Sequence, residues 1–502
     1  MRRMLREGEV EPAVRLATWL LENLGRDEGV AQVLLEAARG GGLPGDDARR
    51  LLGLASALAV SPETREKADR MLEDSGCLPA GGVFPDTVEH HLSLARFHSS
   101  QGRLEEAERH LARAVELGGG SQAYDLYARF LQDQGRTGDA EALLREARQR
   151  FRDSGILNNL GVLLYEGGRV EEAAQLFEEA LELGEDPVVL NNLANASSDL
   201  GEWRKAEELY LRGLALDPGN TDLHNNYGLL LWGLGRLGEA EAHLRSAVKA
   251  DPEDTTNRRN LVKLLLEKGD LASAEPHLRA LVELEPQRSG CYLEWGIVLS
   301  RLGRLREAEE AFREALAREP WSKEAHLHYA LCLEKKGSFL SAENHYREAL
   351  ETGGPDGEAQ LAYASFLHRR GRLKEAGEWY SKAIEADPGN PLPRLYYARL
   401  LAEEGLDEEA ESLLLEALDD HPGDADLHLF YAQFLSARNR PTQADHHFQE
   451  ALTLAPQDPK AHLAYGLHLL QHGLKEKANT HLGEAAKLDP GIRPLVERLL
   501  EA

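Results

Sequence analysis

Cysteines and basic residues are scarce in this 502-residue sequence, and each scarcity excludes a class of protein. The three cysteines, Cys77, Cys291 and Cys332, are odd in number and far apart, so we expect neither a disulfide framework nor a cysteine metal site. This usage indicates a reducing compartment, the cytoplasm. The 58 Lys and Arg residues face 86 Asp and Glu residues, and the net charge of −28 repels phosphate backbones and anionic membranes. We therefore expect no nucleic-acid partner and no membrane partner.

Long apolar runs are also missing. Clusters such as residues 229–232 are far shorter than the ~20 residues that a membrane-spanning helix needs. Acidic residues at positions 7, 9 and 11 follow the basic start, where a signal peptide requires an apolar run, so no signal peptide is expected. The hydrophobic content of 42% is ordinary for a folded globular chain and excludes extensive disorder.

No motif for catalysis is present. The sequence lacks a phosphate-binding Gly-x-x-x-x-Gly-Lys loop, a Gly-x-Ser-x-Gly elbow and a His-Glu-x-x-His zinc helix. His468 and His472 have the spacing of two metal ligands on one helix face, but the sequence shows no carboxylate or thiol partner beside them. We therefore expect no enzyme activity, no cofactor and no metal.

What the sequence does contain is a repeat. Alanine recurs at intervals of 33 residues and then 34, at Ala107, Ala140, Ala173, Ala206, Ala240, Ala274, Ala308, Ala342, Ala376, Ala410, Ala444 and Ala478. A glycine precedes it by five residues in eleven of the twelve units, from Gly102 to Gly473, and Asn439 is the exception. About fourteen residues with helical apolar spacing lie on each side of this glycine, which supplies the backbone angles that separate two helices. Each unit is therefore predicted to be a helical hairpin.

The pattern of small residues resembles the tetratricopeptide repeat family. The fifth unit shows it plainly, with Gly228, Ala240, Ala247 and Pro252 at the positions where the family has small residues and proline. Twelve units cover residues 88–491. The resemblance implies an all-α fold, a right-handed superhelical solenoid of antiparallel helical hairpins. Departures at Val262, at Leu281 and at the 439–441 turn are expected to loosen or shift the packing locally.

The two ends of the chain are less regular. Residues 11–38 and 46–76 are each predicted to form two amphipathic helices. The N-terminal region 1–87 is either a set of degenerate repeats that caps the array or a separate docking module. Residues 492–502 are predicted to form a short helix that covers the last hairpin, because the ends of a repeat array need a cap.

The fifth and sixth positions of the first helix tend to line the concave groove in this family. Asparagine occupies them in consecutive units, followed by one arginine: Asn158, Asn159, Asn191, Asn192, Asn225, Asn226, Arg259 and Asn260. An amide offers donors and an acceptor that can bind the backbone of an extended peptide. The series resembles the asparagine ladder of the O-GlcNAc transferase superhelix, although no glycosyltransferase domain follows. The alternative is that these amides bond only to neighbouring helices.

From the seventh unit onward the fifth position is always leucine, and these side chains are expected to form an exposed apolar strip: Leu293, Leu327, Leu361, Leu395, Leu429 and Leu463. Arg399 and Gln433 lie one turn further along their helices and would interrupt it. The carboxylate clamp of chaperone-binding members is not supported, because Lys263 follows Arg259 where the clamp needs asparagine, and Asn195 lacks the basic companions.

These features together predict a non-enzymatic adaptor or scaffold whose groove binds a segment of another protein. The alternative is a regulatory subunit that wraps a partner enzyme and inhibits or activates it. RNA binding by a related helical repeat is disfavoured by the charge of −28. Self-association is also open.

Overall fold

The structure is a computed structural model that describes residues 28–39, 51, 55, 87–100, 102–352 and 356–501. Over these residues the regular structure is helical, with no strand. The chain divides into two compact units, Met1–Pro218 and Gly219–Ala502, and each is described by itself. The predicted all-α hairpin repeat is confirmed, whereas the predicted boundaries after residues 87 and 491 stay predictions.

Unit 1 contains one helix followed by four helical hairpins within its described residues. These helices are α1 (Glu28–Arg39), α2 (Val88–Ser100), α3 (Leu104–Glu116), α4 (Gly120–Asp133), α5 (Thr137–Arg150), α6 (Ser154–Glu166), α7 (Val170–Leu183), α8 (Pro187–Asp199) and α9 (Trp203–Leu216). Helix α1 falls in the second half of region 11–38. The other helices predicted before residue 87 lie outside the described residues, apart from positions 51 and 55, which are helical.

Within its described residues, unit 2 contains eight hairpins and a terminal helix. They are built from α10 (Thr221–Gly233), α11 (Leu237–Ala250), α12 (Thr255–Glu267), α13 (Leu271–Leu284), α14 (Ser289–Arg301), α15 (Leu305–Arg318), α16 (Lys323–Lys336), α17 (Phe339–Thr352), α18 (Gly357–Arg369), α19 (Leu373–Ala386), α20 (Pro391–Glu404), α21 (Asp407–Asp420), α22 (Ala425–Ala437), α23 (Pro441–Leu454), α24 (Pro459–Gln471), α25 (Lys475–Leu488) and α26 (Arg493–Glu501).

The predicted turn residues separate the two helices of each hairpin. All eleven glycines of this series have a positive φ, between 71° and 84°, and Asn439 takes the same conformation with a φ of 57°. Asparagine tolerates the left-handed region better than most residues do, which explains how it replaces glycine. The contact between α22 and α23 is as extensive as in most hairpins, so the loosening expected around residue 439 was wrong.

Small residues hold the two helices of a hairpin close together. The twelve repeating alanines are completely buried. On the first helix, Gly296 lies against the buried ring of Phe312, where an added Cβ would come within 2.8 Å of the ring. Helices α12 and α13 make the least extensive contact of the unit 2 hairpins, and they carry Val262 and Leu281 in place of smaller residues. Helices α4 and α5 of unit 1 make a contact of nearly the same extent with small residues at these positions, so the loosening expected from Val262 and Leu281 stays a prediction.

Capping side chains explain where many first helices begin. The side chains of Asp153, Asp254, Ser322 and Asp424 accept hydrogen bonds from backbone N–H groups of the first turn that follows them. These groups have no partner inside the helix, so the caps stabilise the start of the helix.

At the C-terminal end of unit 2, Val496 of α26 is buried against Leu482 and Ala486, as expected of a helix that covers the last hairpin.

A series of glutamates links successive hairpins. In unit 2, the Glu411 carboxylate accepts a hydrogen bond from the Tyr431 hydroxyl at 2.7 Å and pairs with Arg440 at 2.8 Å. In hairpin α16–α17 the corresponding residue is Glu343, which accepts hydrogen bonds from the Tyr363 hydroxyl at 3.2 Å and from Arg372 at 2.8 Å. These links join the second helix of one hairpin to the next hairpin, and they were not predicted from the sequence.

Candidate protein-binding face

The first helices of the hairpins form one face in each unit. First helices of successive hairpins contact each other directly, as α4 does with α6 in unit 1 and α20 with α22 in unit 2, whereas second helices make no contact of that extent with one another among the described residues. First helices therefore lie on the inner side of each stack. We call the surface formed by their fifth, sixth and ninth positions the inner face.

In unit 1, amide side chains on the inner face bond to one another. Asn158 Nδ2 donates to Asn159 Oδ1 at 3.4 Å, and Asn192 Nδ2 donates to Asn158 Oδ1 at 2.9 Å. Asn159 Nδ2 in turn donates to the carboxylate of Asp125, the fifth-position residue of the preceding hairpin. These amides therefore do bond to neighbouring helices, while the prediction that they also bind a peptide stays a prediction. Asp125 was missed, although it stands 33 residues before Asn158 in the same series.

The same pattern recurs at the start of unit 2. Asn225 Nδ2 donates to Asn226 Oδ1 at 3.1 Å, and Asn260 Nδ2 donates to Asn225 Oδ1 at 2.9 Å. The fifth-position amide of one hairpin thus accepts from the sixth-position amide of the next. Arg259, the fifth-position residue after Asn225, pairs with Glu285 and is mostly buried.

The amides differ in their exposure. Asn191 and Asn225 are buried, and the side chains of Asn158, Asn159, Asn192, Asn226 and Asn260 are half-buried. Asn195, at the ninth position of α8, accepts a hydrogen bond from the Tyr210 hydroxyl of the same hairpin. In unit 1, Asn158, Asn159 and Asp125 line an open pocket of about 330 Å³ together with Asp186 and Arg129. The half-buried amides therefore border a space that another molecule can enter.

The leucine series lies in unit 2, but it is not a uniformly exposed strip. Leu293, Leu327 and Leu429 are buried, with 8%, 5% and 8% of their surface exposed, and they belong to the hydrophobic core. The expectation of an exposed strip is wrong for these three, because neighbouring helices cover the fifth position. Leu361, Leu395 and Leu463 are half-buried and pack on the edge of the core.

Other apolar side chains on the first helices of unit 2 are exposed. They lie one residue or one turn away from the fifth position of their helices, and they are Leu229, Leu392, Tyr396 and Leu467, each at least 36% exposed. Their helical spacing from the fifth position, one residue or one turn, is the signal that could have found them. Arg399 and Gln433 are exposed as expected, and Arg399 pairs with Glu403 of its own helix at 3.3 Å. The exposed part of this face is thus a mixture of apolar and polar side chains.

His468 is placed differently from the sequence expectation. Its Nε2 lies 3.5 Å from Oδ1 of Asp445, a carboxylate that sequence spacing did not reveal, and its Nδ1 lies 2.6 Å from the Ser436 hydroxyl. Burial lowers the pKa of this imidazole.

No group of three histidine, cysteine, aspartate or glutamate side chains in the described part of the chain is placed to hold a metal ion. None of the described helices is long and apolar enough to cross a membrane.

The structure defines a class of protein, an array of helical hairpins whose first helices form an inner face. Sequence profiles described as tetratricopeptide repeat match most of the chain, over residues 92–118, 128–187, 191–255, 231–290, 293–356, 334–391, 367–434 and 432–491. The chain therefore belongs to the tetratricopeptide repeat family, whose members are protein-interaction scaffolds. The comparison with curated proteins found no match.

Solved structures of this fold are similar to the chain at low identity. The APC/C hetero-tetramer Cut9-Hcn1 is 15% identical, with 84% of this chain and 96% of that chain covered and a TM-score of 0.39. A tetratricopeptide repeat protein from Parabacteroides merdae is 20% identical, with 49% and 97% covered and a TM-score of 0.41. Yeast Tom70 is 17% identical, with 69% and 93% covered and a TM-score of 0.35. At these values the likeness concerns the fold alone.

Proposed function

We propose that this protein is a non-enzymatic adaptor of the cytoplasm whose inner face binds a segment of another protein. The observation that carries the proposal is that several side chains on the first helices remain half-buried or exposed after the helices have packed together. In unit 1 these are the half-buried amides around the 330 Å³ pocket. In unit 2 they are the exposed apolar side chains Leu229, Tyr396 and Leu467, at the sixth or ninth position of their helices.

The inner face of unit 1 and the inner face of unit 2 suit different kinds of bound segment. Half-buried amides keep hydrogen-bonding capacity beyond the bonds that they make to one another, because each amide has two N–H donors and two acceptor lone pairs. They can therefore bind peptide backbone. Exposed apolar side chains that flank a core gain most from a partner that buries them, at roughly 25 cal/mol per Å² of apolar surface. The unit 2 face thus favours apolar or aromatic side chains of the partner.

Peptide selection against the full-length protein tests the proposal. A random peptide library is selected on the immobilised chain, and the dissociation constants of the selected peptides are measured for variants. We expect Tyr396→Ala combined with Leu467→Ala to weaken apolar peptides at least tenfold, because exposed anchors commonly contribute more than 1 kcal/mol each. Circular dichroism checks that helicity is retained.

The matched control is Leu340→Ala, which removes a leucine side chain that is 77% exposed at the start of a second helix. Peptide affinity should not change in this variant. Selected peptides that bind the control and the inner-face variant with equal affinity would show that the inner face is not the binding surface.

A further inference from the structure

Histidines form a repeated pair that links the two helices of a hairpin. In five hairpins of the described chain, the fourth residue of the first helix lies opposite a histidine nineteen positions later, with the two Nδ1 atoms 2.8 to 3.1 Å apart. The pairs are His91–His110, His224–His243, His326–His345, His428–His447 and His462–His481.

The pairing follows a strict rule within this one sequence. Where the fourth residue is histidine, the residue nineteen positions later is always histidine as well. In the remaining seven hairpins the fourth residue is not histidine, and only Arg258 has a histidine opposite, His277. Two hairpins have leucine at both positions, Leu157 with Leu176 and Leu190 with Leu209, and these side chains are buried. The two positions therefore form one contact that accepts either an apolar or a histidine pair.

Hydrogen-bond partners determine which nitrogen of each ring carries the proton. His326 Nε2 lies 3.0 Å from the carbonyl oxygen of Pro320, so it must donate to this oxygen. In the neutral ring Nδ1 is then an acceptor, and the facing Nδ1 of His345 must be the donor. His428 and His462 have the same arrangement, with Nε2 3.1 Å from the carbonyl oxygens of Pro422 and Pro456.

Added protons have no favourable place in this arrangement. A proton on His326 Nδ1 would set two N–H groups against each other and remove the hydrogen bond. A proton on His345 must go to Nε2, which puts a positive charge on a half-buried ring that contacts the Tyr329 ring at a tilt of 37°, with the ring centres 4.4 Å apart. We propose that the histidine pairs are acid-labile contacts, which open these hairpins selectively when the pH falls below neutrality.

The charged surroundings of the pairs favour the same outcome. Burial, together with His326 and Arg313, lowers the pKa of His345 to about 4, and Glu348 opposes this shift. Around His447, burial and the two histidines His428 and His446 lower the pKa to about 4, against Glu450. Burial also lowers the pKa of His243 and His481. A histidine with a lowered folded pKa stabilises the hairpin above the unfolded value of 6.5, and this stability is lost as the pH falls from 6.5 toward 4.

A metal site does not explain the pairs. Each pair brings only two ring nitrogens together, and the described residues contain no third histidine, cysteine or carboxylate in a position to complete a metal cluster. Each Nε2 that faces a proline carbonyl is occupied as a donor.

Hydrogen exchange on the full-length protein at pH 7 and pH 5, read by mass spectrometry, tests the proposal. After correction for intrinsic exchange rates, the equilibrium constant for opening of hairpin α16–α17 should be roughly 20-fold larger at pH 5 than at pH 7. Linkage predicts this ratio for a histidine whose pKa is 6.5 in the unfolded state and about 4 in the folded state. Hairpin α6–α7, which contains no histidine and has the Leu157–Leu176 pair, is the internal control and should change far less.

Variants separate the pair from the other histidine of this hairpin, His328. Burial also lowers the pKa of His328, so this residue adds to the acid dependence of the hairpin. The double variant His326→Leu and His345→Leu copies the leucine pair of α6–α7 and should remove the larger part of the acid dependence of α16–α17, whereas His328→Gln should remove only a smaller part. Equal acid-induced opening of α6–α7 and α16–α17 in the unmodified chain would overturn the proposal. So would a double variant, helical at pH 7, that keeps the full acid dependence.

Discussion

Single glycines show how closely the residues of a hairpin fit together. Gly290 and Gly296 lie on the same helix, α14, but a Cβ at Gly296 would come within 2.8 Å of the Phe312 ring, whereas a Cβ at Gly290 would meet nothing within 4 Å. We expect Gly296→Ala to destabilise the protein by ~1–3 kcal/mol through overpacking, and Gly290→Ala to stabilise it by up to ~1 kcal/mol because alanine is the better helix former.

Calorimetry of the two variants checks this expectation. The melting temperature should fall for Gly296→Ala and should stay level or rise for Gly290→Ala. If both substitutions shift it in the same direction by the same amount, the close contact with Phe312 does not limit the size of the residue at position 296.

Many features of single residues could be predicted from the sequence, but the solvent exposure of side chains on the inner face could not. The repeating alanines and turn glycines have the burial and the φ values that their spacing predicts. The fifth-position leucines share one pattern in the sequence, yet Leu327 is buried and Leu361 is half-buried. Exposure at this position depends on the side chains of the adjoining helices, and a repeat pattern alone does not specify them.

At the scale of the element, the side-chain contacts between helices were the least visible in the sequence. Glu411 and Tyr431 are 20 residues apart, and the two histidines of a pair are 19 apart, so each contact joins two different helices. The facing sides of these helices must be known before the partners can be recognised. A search for correlated residues at these separations would have found the histidine pairs, since they recur in five units.

The glutamate links should contribute to stability in a pH-dependent way. Arg440 holds the pKa of Glu411 below its usual value, so the link stabilises the fold above pH ~4.5 and is lost as the pH falls through the lowered pKa. We expect Glu411→Gln to destabilise the protein by ~1–3 kcal/mol at pH 7, because it removes a charged acceptor and leaves Arg440 without its counter-charge.

Glu408→Gln is the control, because Glu408 is an exposed carboxylate at the start of the same helix. Its effect should stay within ~0.5 kcal/mol. Melting temperatures at pH 7 and pH 3.5 check the prediction, since the difference between Glu411→Gln and the unmodified protein should shrink at the lower pH. A difference of the same size at both pH values would mean that the carboxylate charge is not what links the hairpins.

At the scale of the whole molecule, stability is distributed along the chain. Among the described helices, extensive contacts are made only between neighbours in the sequence or between the first helices of successive hairpins. In such an array the free energy of unfolding is approximately a sum over repeats and their interfaces, and cooperativity decreases with length. By our proposal, the histidine pairs make this sum pH-dependent in the four hairpins of unit 2 that contain them.

We therefore expect unfolding that departs from two-state behaviour, and a larger departure in acid. At pH 7 the van't Hoff enthalpy from circular dichroism should be smaller than the calorimetric enthalpy, because hairpins do not all unfold together. At pH 5 the gap should widen, since hairpins with histidine pairs weaken while those with leucine pairs keep their stability. The double variant His326→Leu and His345→Leu should narrow the gap at pH 5 but not at pH 7. Equal enthalpies at both pH values would show that the array unfolds as one cooperative block, in which local differences between hairpins are averaged over the whole chain.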